Sequence, residues 1–270
     1  MVTLASVLLG ALVGLIQALT GAGGGILAVP LLVFGLSLSV ATAAPVALFA
    51  VCLSAAFGAA LGLRAGTVRY RAALWMAAIG SLTAPLGVWL AHRLPNAPLT
   101  LLFAGVLGFV AYRHLRREPE VVEDANRQPP PCQIDASSGR LRWTAACTRS
   151  LAFAGATAGG LSGLLGVGGG FVIVPALART TDIPLKSIIT TSLAVIALVS
   201  LSGVLASAAA GRVTWPIALP FAAGAVAGIL GGRFIAGRLA PHHVQRAFGI
   251  VAAVVAIGMV VKAGWLVFAG

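Results

Sequence analysis

Two glycine runs set in apolar sequence are the residues of this chain best suited to chemistry. Gly21-Ala22-Gly23-Gly24-Gly25 and Gly166-Val167-Gly168-Gly169-Gly170 are each followed by a Val-Pro pair, Val29-Pro30 and Val174-Pro175. Three adjacent glycines interrupt a helix and leave backbone N–H groups bare, which is tolerated at membrane depth only inside protein or along a cavity. A half-helix that starts after such a break carries partial positive charge and can hold an anion without a charged side chain. Missing Cβ atoms also let the backbone approach a small oxyanion closely. The candidate binding groups are therefore Gly23, Gly24 and Gly25 in the first run and Gly168, Gly169 and Gly170 in the second. Gln17 and Thr20 precede the first run and Ser162 the second, while Thr191 and Ser192 begin a later apolar stretch. Pro30 and Pro175 are candidate hinges, since proline kinks a helix.

Other chemistries find little support. Asp182 is the one acidic residue outside the segment 113–149, so no carboxylate lies within an apolar span. Cation carriers and proton-coupled pumps commonly hold their ion on an intramembrane Asp or Glu. A catalytic Cys-His pair and a metal-ligand cluster are also missing from the spans, so no enzyme activity, metal or cofactor is expected. His242 and His243 have no third ligand nearby for a metal. The run Gly21-Ala22-Gly23 lacks the third glycine and the acceptor acid of a dinucleotide fingerprint, and a Walker Lys-Ser/Thr is absent. Cys52, Cys132 and Cys147 form no C-x-x-C pair, and Cys52 reads as a small apolar packing residue. A competing reading of the glycines is close helix packing, which suits Gly155, Gly159 and Gly163, or Gly224, Gly228 and Gly232, better than three in a row.

The elements that must position these groups are membrane helices. Apolar residues make up 59% of the 270-residue chain, charged residues 9%, and mean hydropathy is +1.03, values far from those of soluble domains. The stretch from Val2 to Leu63 is long enough for more than one crossing at about 20 residues each. It has no basic residue before it and runs on past any cleavage point, so it is expected to belong to the mature protein rather than to a signal peptide. The net charge of +12 is spread over short loops, the habit of cytoplasmic loops rather than of a nucleic-acid surface. Trp75, Trp89, Trp143, Trp215 and Trp265 fall near span ends, where an aromatic belt would put them. Arg93 and Arg238 occupy equivalent span ends and are read as interfacial groups, with a gating role as the alternative.

A repeat organises the whole. A shift of 145 residues lays Gly23–Gly25 on Gly168–Gly170, Pro30 on Pro175, Gly66-x-Val68-x-Tyr70 on Gly211-x-Val213-x-Trp215, and Gly87 on Gly232. This predicts an N-terminal membrane repeat over 1–112 and a C-terminal one over 150–270. Between them, 113–149 carries five of the six acidic residues, seven arginines and Pro129-Pro130-Pro131, and reads as a polar cytoplasmic linker, with docking or regulation as the alternative. Loop charge orients the halves. If each broken element crosses once, the halves are parallel and 12 of the 18 Lys and Arg residues lie inside. If each is a hairpin, the halves are inverted and 15 of 18 lie inside, leaving Arg93, Arg212 and Lys262 outside. The positive-inside rule favours the second. The expected fold is an all-α integral membrane protein of two inverted-topology repeats, each a glycine-broken helical hairpin plus three membrane-spanning helices. The two breaks would meet near the midplane.

At these residues the chain resembles the TauE/SafE family of sulfite exporter-like transmembrane proteins. The resemblance rests on residues 21–30 and 166–175, on Thr191-Ser192-Leu193 and on the turn from Gly211 to Trp215, and it covers nearly all of the chain outside the linker. The first half departs from it, with Val46-Ala47-Leu48 where Thr-Ser-Leu would fall. The resemblance implies export of sulfite or a small organosulfonate, with thiosulfate in the same class, from a multi-pass protein of the cell inner membrane. The residues alone yield only a small anionic substrate and a lipid bilayer as partners. An inside-negative potential favours anion exit by about 2.3 kcal/mol per charge per 100 mV, so export needs no coupling carboxylate. The alternatives are a proton-coupled transporter of a small organic acid and a non-transport membrane assembly factor. Gly24→Val and Gly169→Val are expected to block the site while leaving insertion intact.

Overall fold

The computed structural model describes residues 2–21, 23–116, 130–134, 141–236 and 241–268. Ten helices run through them: α1 (Val2–Thr20), α2 (Gly23–Gly35), α3 (Val40–Arg64), α4 (Tyr70–Arg93), α5 (Asn96–Arg116), α6 (Ala145–Leu165), α7 (Gly170–Thr180), α8 (Leu185–Ala209), α9 (Trp215–Ala236) and α10 (Pro241–Phe268). Five are long and apolar enough to cross a membrane, namely α1, α3, α4, α8 and α9. Large apolar side chains such as Leu82, Leu86, Phe153 and Phe234 are exposed along the helices. Water would penalise such a surface and lipid accepts it. The chain is a multi-pass, all-helical membrane protein.

Helix bounds recur at the offset read from the sequence. α1 and α6 end at residues 20 and 165, α3 and α8 run over 40–64 and 185–209, and α4 and α9 start at 70 and 215. The turns agree as well. Gly66 (φ 65°) and Gly211 (φ 67°) take the left-handed conformation just past α3 and α8, and their N–H groups donate to the carbonyls of Leu63 and Ala208. Glycine adopts this geometry without the steric cost of a Cβ. Ser39 caps α3 by accepting the Thr42 N–H at 3.2 Å, and Thr144 caps α6 by accepting the Cys147 N–H at 3.1 Å.

Small residues set the packing. α1 lies along α9, and α4 along α6. At Gly10 and Gly14 an added methyl would overlap the carbonyl oxygens of Phe221 and Ala225; at their equivalents Gly155 and Gly159 it would overlap those of Met76 and Gly80. Backbone is packed on backbone, as membrane helices require when no solvent drives them together. α3 and α8 form the centre and run antiparallel: Cys52 Sγ donates to the Ala197 carbonyl at 3.4 Å, Gly58 faces Leu193, and Gly62 faces Thr190.

The linker departs from expectation at one point. Cys132 and Cys147 form a disulfide, which fastens the described stretch 130–134 to the start of α6. They lie 15 positions apart in sequence, so no local C-x-x-C pattern could announce the pairing. Cys132 N–H donates to the Thr180 carbonyl at 2.9 Å, and both Asp182 carboxylate oxygens accept from Ile134 N–H at 3.0 Å. The stretch is thereby tied to the α7–α8 turn. Most of 113–149 lies outside the described residues.

Candidate substrate site between the glycine breaks

Each glycine run produces a sharp reversal between two antiparallel helices. Gly21 (φ 74°) follows α1 and returns its N–H to the Gln17 carbonyl at 2.8 Å. Gly166 (φ 73°) caps α6 and returns its N–H to Ser162 at 2.9 Å, and Gly168 (φ 74°) and Gly169 (φ 70°) follow in the same conformation. α2, opened by Gly23, then folds back along α1, and α7, opened by Gly170, along α6. A methyl on Gly24 would overlap the Val13 carbonyl, and one on Gly169 would overlap the Ala158 carbonyl. The break glycines therefore turn the chain and also pack backbone on backbone, the reading that competed with binding in the sequence.

The two breaks meet. A methyl on Gly25, in the first, would overlap the carbonyl oxygen of Val167, in the second. Around this junction stand Val51 of α3 and Ile196 of α8, which are equivalent under the offset; a methyl on Gly168 would lie 2.6 Å from Val51 Cγ1 and 3.0 Å from Ile196 Cγ2. Pro30 is buried within α2 and Pro175 lies within α7. Neither can donate to the carbonyl four residues before it, which belongs to Ile26 or Phe171.

Polar side chains divide the site. Gln17 is buried and its Oε1 accepts the Ser54 hydroxyl at 2.7 Å. Thr20 donates to the Ile16 carbonyl of its own helix at 2.8 Å. Thr191 is fully buried, and its Oγ1 accepts the Arg69 N–H at 3.0 Å, so it supports the turn before α4. Ser162, Ser192, Ser200 and Ser207 are all buried, and the Oγ of each has no hydrogen-bond partner. Ser200 Oγ lies 3.1 Å from the position of a methyl on Gly168. Ser192 sits one turn before Ile196 and two before Ser200, on the same face of α8. Threonines elsewhere back-bond to their helix, as Thr157 does to Phe153 and Thr180 to Ala176, both at 2.8 Å. The unpartnered serines are thus set apart, because a buried hydroxyl without a partner is costly.

Sequence reasoning missed Ser54, Ser200 and Ser207. Each stands well along α3 or α8, far in sequence from a glycine run, and only the crossing of the two helices brings Ser54 and Ser200 to the breaks. Among the described residues no cluster of three or more His, Cys, Asp or Glu could hold a metal. The Arg93 guanidinium stacks over the Trp89 ring at 4.1 Å, an interfacial arrangement. Arg238 and the side chains of His242, His243 and Trp265 fall outside the described residues.

The pattern of the family described as "Sulfite exporter TauE/SafE" matches residues 6–259. The chain belongs to this family. It is accordingly a membrane transporter and not an enzyme. Two curated relatives, each called "Probable membrane transporter protein", come from Xylella fastidiosa strains 9a5c and Temecula1. The first is 33% identical over 255 residues, covering 92% of this chain and 91% of the relative; the second is 33% identical over 254 residues with the same coverage. No solved structure matches.

Proposed function

We propose that this TauE/SafE protein exports a small sulfur-containing anion, sulfite or a small organosulfonate, through the junction of its two glycine breaks. One observation carries the reading: at the second break, which opens α7, stands the buried hydroxyl of Ser200, which lacks a partner. A hydroxyl can turn its hydrogen toward an anion, and a helix N-terminus adds N–H donors and a favourable dipole. The anion then supplies the bond that the folded protein leaves open. Gly23, Gly24, Gly25, Gly168, Gly169 and Gly170 form the close-approach surface, Ser162 and Ser192 supplement Ser200, and Pro30 and Pro175 serve as hinges.

We read the architecture as two inverted repeats, 1–112 and 150–270, joined by a cytoplasmic linker over 113–149. The antiparallel course of the equivalent helices α3 and α8 supports inversion. So does loop charge, which puts 15 of 18 basic residues on the linker side. The disulfide pulls the other way, since structural disulfides are rare in a reducing cytosol. The charge count outweighs it because it rests on many loops rather than one cysteine pair. Under this orientation the protein lies in the cell inner membrane, and the membrane potential drives the anion outward.

The experiment is flux into liposomes holding the purified protein alone, with sulfite, thiosulfate, sulfoacetate, sulfate, acetate and chloride at imposed potential. Selective, potential-driven movement of a sulfur anion is the expected result. Flux that needs a proton gradient, or that prefers acetate, would contradict it.

A further inference from the structure

A cavity of about 620 Å³ lies between α5, α6, α7 and α10, its inner end reaching Thr20 and Phe171, which flank the two glycine runs. Phenylalanines and valines make up much of its walls, and two of them, Phe109 and Phe153, are 61% and 73% exposed, so it opens on the lipid-facing surface. Arg113 and Arg179 also line it, near the C-terminal ends of α5 and α7 that adjoin the linker.

The 145-residue offset identifies the counterpart of this crevice in the other half, where an aromatic ring takes the place of an arginine. Phe34 stands at the position equivalent to Arg179, Gly258 at that of Arg113, and Ile250 at that of Gly105. A methyl on Gly258 would lie 3.2 Å from the Phe34 ring. Lys262 holds that ring in place, with its ammonium 5.5 Å from the ring centroid and donating to the Val33 carbonyl at 3.3 Å. In the crevice itself the ring is exchanged for an arginine and the half-exposed Ile250 for Gly105, around whose missing side chain nothing lies within 4 Å. Protein interiors are close-packed. An apolar space left open toward a bilayer is therefore matched to hydrocarbon, and arginines at its rim are matched to a phosphate.

We propose that this crevice binds an anionic phospholipid, with one acyl chain along the phenylalanine walls and the phosphate between Arg113 and Arg179. A small inorganic anion would lose its hydration against those walls with little return. A zwitterionic lipid would fill the space with less attraction to the arginines. Assignment to the cytoplasmic leaflet rests on the orientation proposed above; binding itself does not.

The test is native mass spectrometry of the full-length protein extracted from vesicles of equal phosphatidylglycerol and phosphatidylcholine, with soluble glycerol phosphate as a separate headgroup probe. Phosphatidylglycerol is expected to be retained roughly tenfold over phosphatidylcholine, with no binding of glycerol phosphate. Arg179→Gln should reduce that preference by about fivefold and Arg179→Lys should largely keep it. Gly105→Ile, which installs the counterpart's residue in open space, should expel both lipids from a protein that stays monodisperse. Equal retention of the two lipids, unchanged retention in Gly105→Ile, or binding of glycerol phosphate alone would overturn the proposal. Because no step measures transport, a protein without anion flux would leave it standing.

Discussion

At the first break Gln17 accepts the Ser54 hydroxyl at 2.7 Å; at the second, the equivalent positions carry Ser162 and Val199, and no such bond can form. Ser200, whose equivalent is Ala55, brings to the second break a further hydroxyl without a partner. On the repeat reading proposed above, one backbone plan occurs twice, and a few side-chain differences close one copy while leaving the other unsatisfied. A closed polar pair rigidifies its surroundings, and on the proposed reading the open hydroxyls beside a helix N-terminus are where the anion binds. A side-chain difference of the same kind separates the crevices, where Phe34 packs on Gly258 in one and Arg179 borders the other.

The largest effect expected is all-or-none and concerns the frame of the comparison. Ala65 and Ala210 are exposed and equivalent, in the turns after α3 and α8. In a background lacking native cysteines, a membrane-impermeant maleimide should label Ala210→Cys in intact cells and Ala65→Cys only after permeabilisation. Labelling of both from one side would break the inverted arrangement and with it the equivalence of the breaks. Next in size is Gly169→Val, where a side chain meets both a left-handed backbone and the Ala158 carbonyl. It should cost about 3 kcal/mol or more and lower the yield of folded protein, read by thermal stability in detergent. Gly24→Val meets the Val13 carbonyl and acts the same way. The expectation that these changes would block the site and spare folding is therefore withdrawn, because the glycines are packing elements as well.

Smaller but more telling is a difference in sign. Ser54→Ala leaves Gln17 Oε1 buried without its donor and should destabilise by roughly 1–3 kcal/mol. Ser200→Ala removes an unpartnered hydroxyl and should leave stability unchanged or raise it by about 1 kcal/mol. Denaturation of both variants in one detergent checks this. Equal losses would mean that Ser200 has a structural bond and that the two breaks do not differ as described.

Much of this was legible in the sequence. The glycine runs marked both breaks, the offset of 145 residues anticipated helix bounds in the second half, and the scarcity of intramembrane carboxylates pointed to an anion. Gln17 and Ser162 were legible as polar residues one turn before a break. What lay beyond reach depended on helix crossing: Ser54 and Ser200 reach the breaks only because α3 and α8 cross there. Thr191 looked like a ligand because of its Thr-Ser-Leu setting, yet its oxygen serves the Arg69 N–H, a partner 122 residues away in sequence. The Cys132–Cys147 bond was hidden for a similar reason, since the linker's docking on the α7–α8 turn sets it up.

The central claim is that the second break holds the transported anion, and the most direct measurement is sulfur-anion flux in proteoliposomes for the wild type, Ser200→Ala and Ser54→Ala at matched protein content. Loss of a hydrogen bond to a charged ligand should slow Ser200→Ala by about tenfold or more while its stability is intact. Ser54→Ala should lose stability first, with flux per folded molecule nearly preserved. Wild-type flux in Ser200→Ala, together with collapse in folded Ser54→Ala, would contradict the account and move the site to the first break.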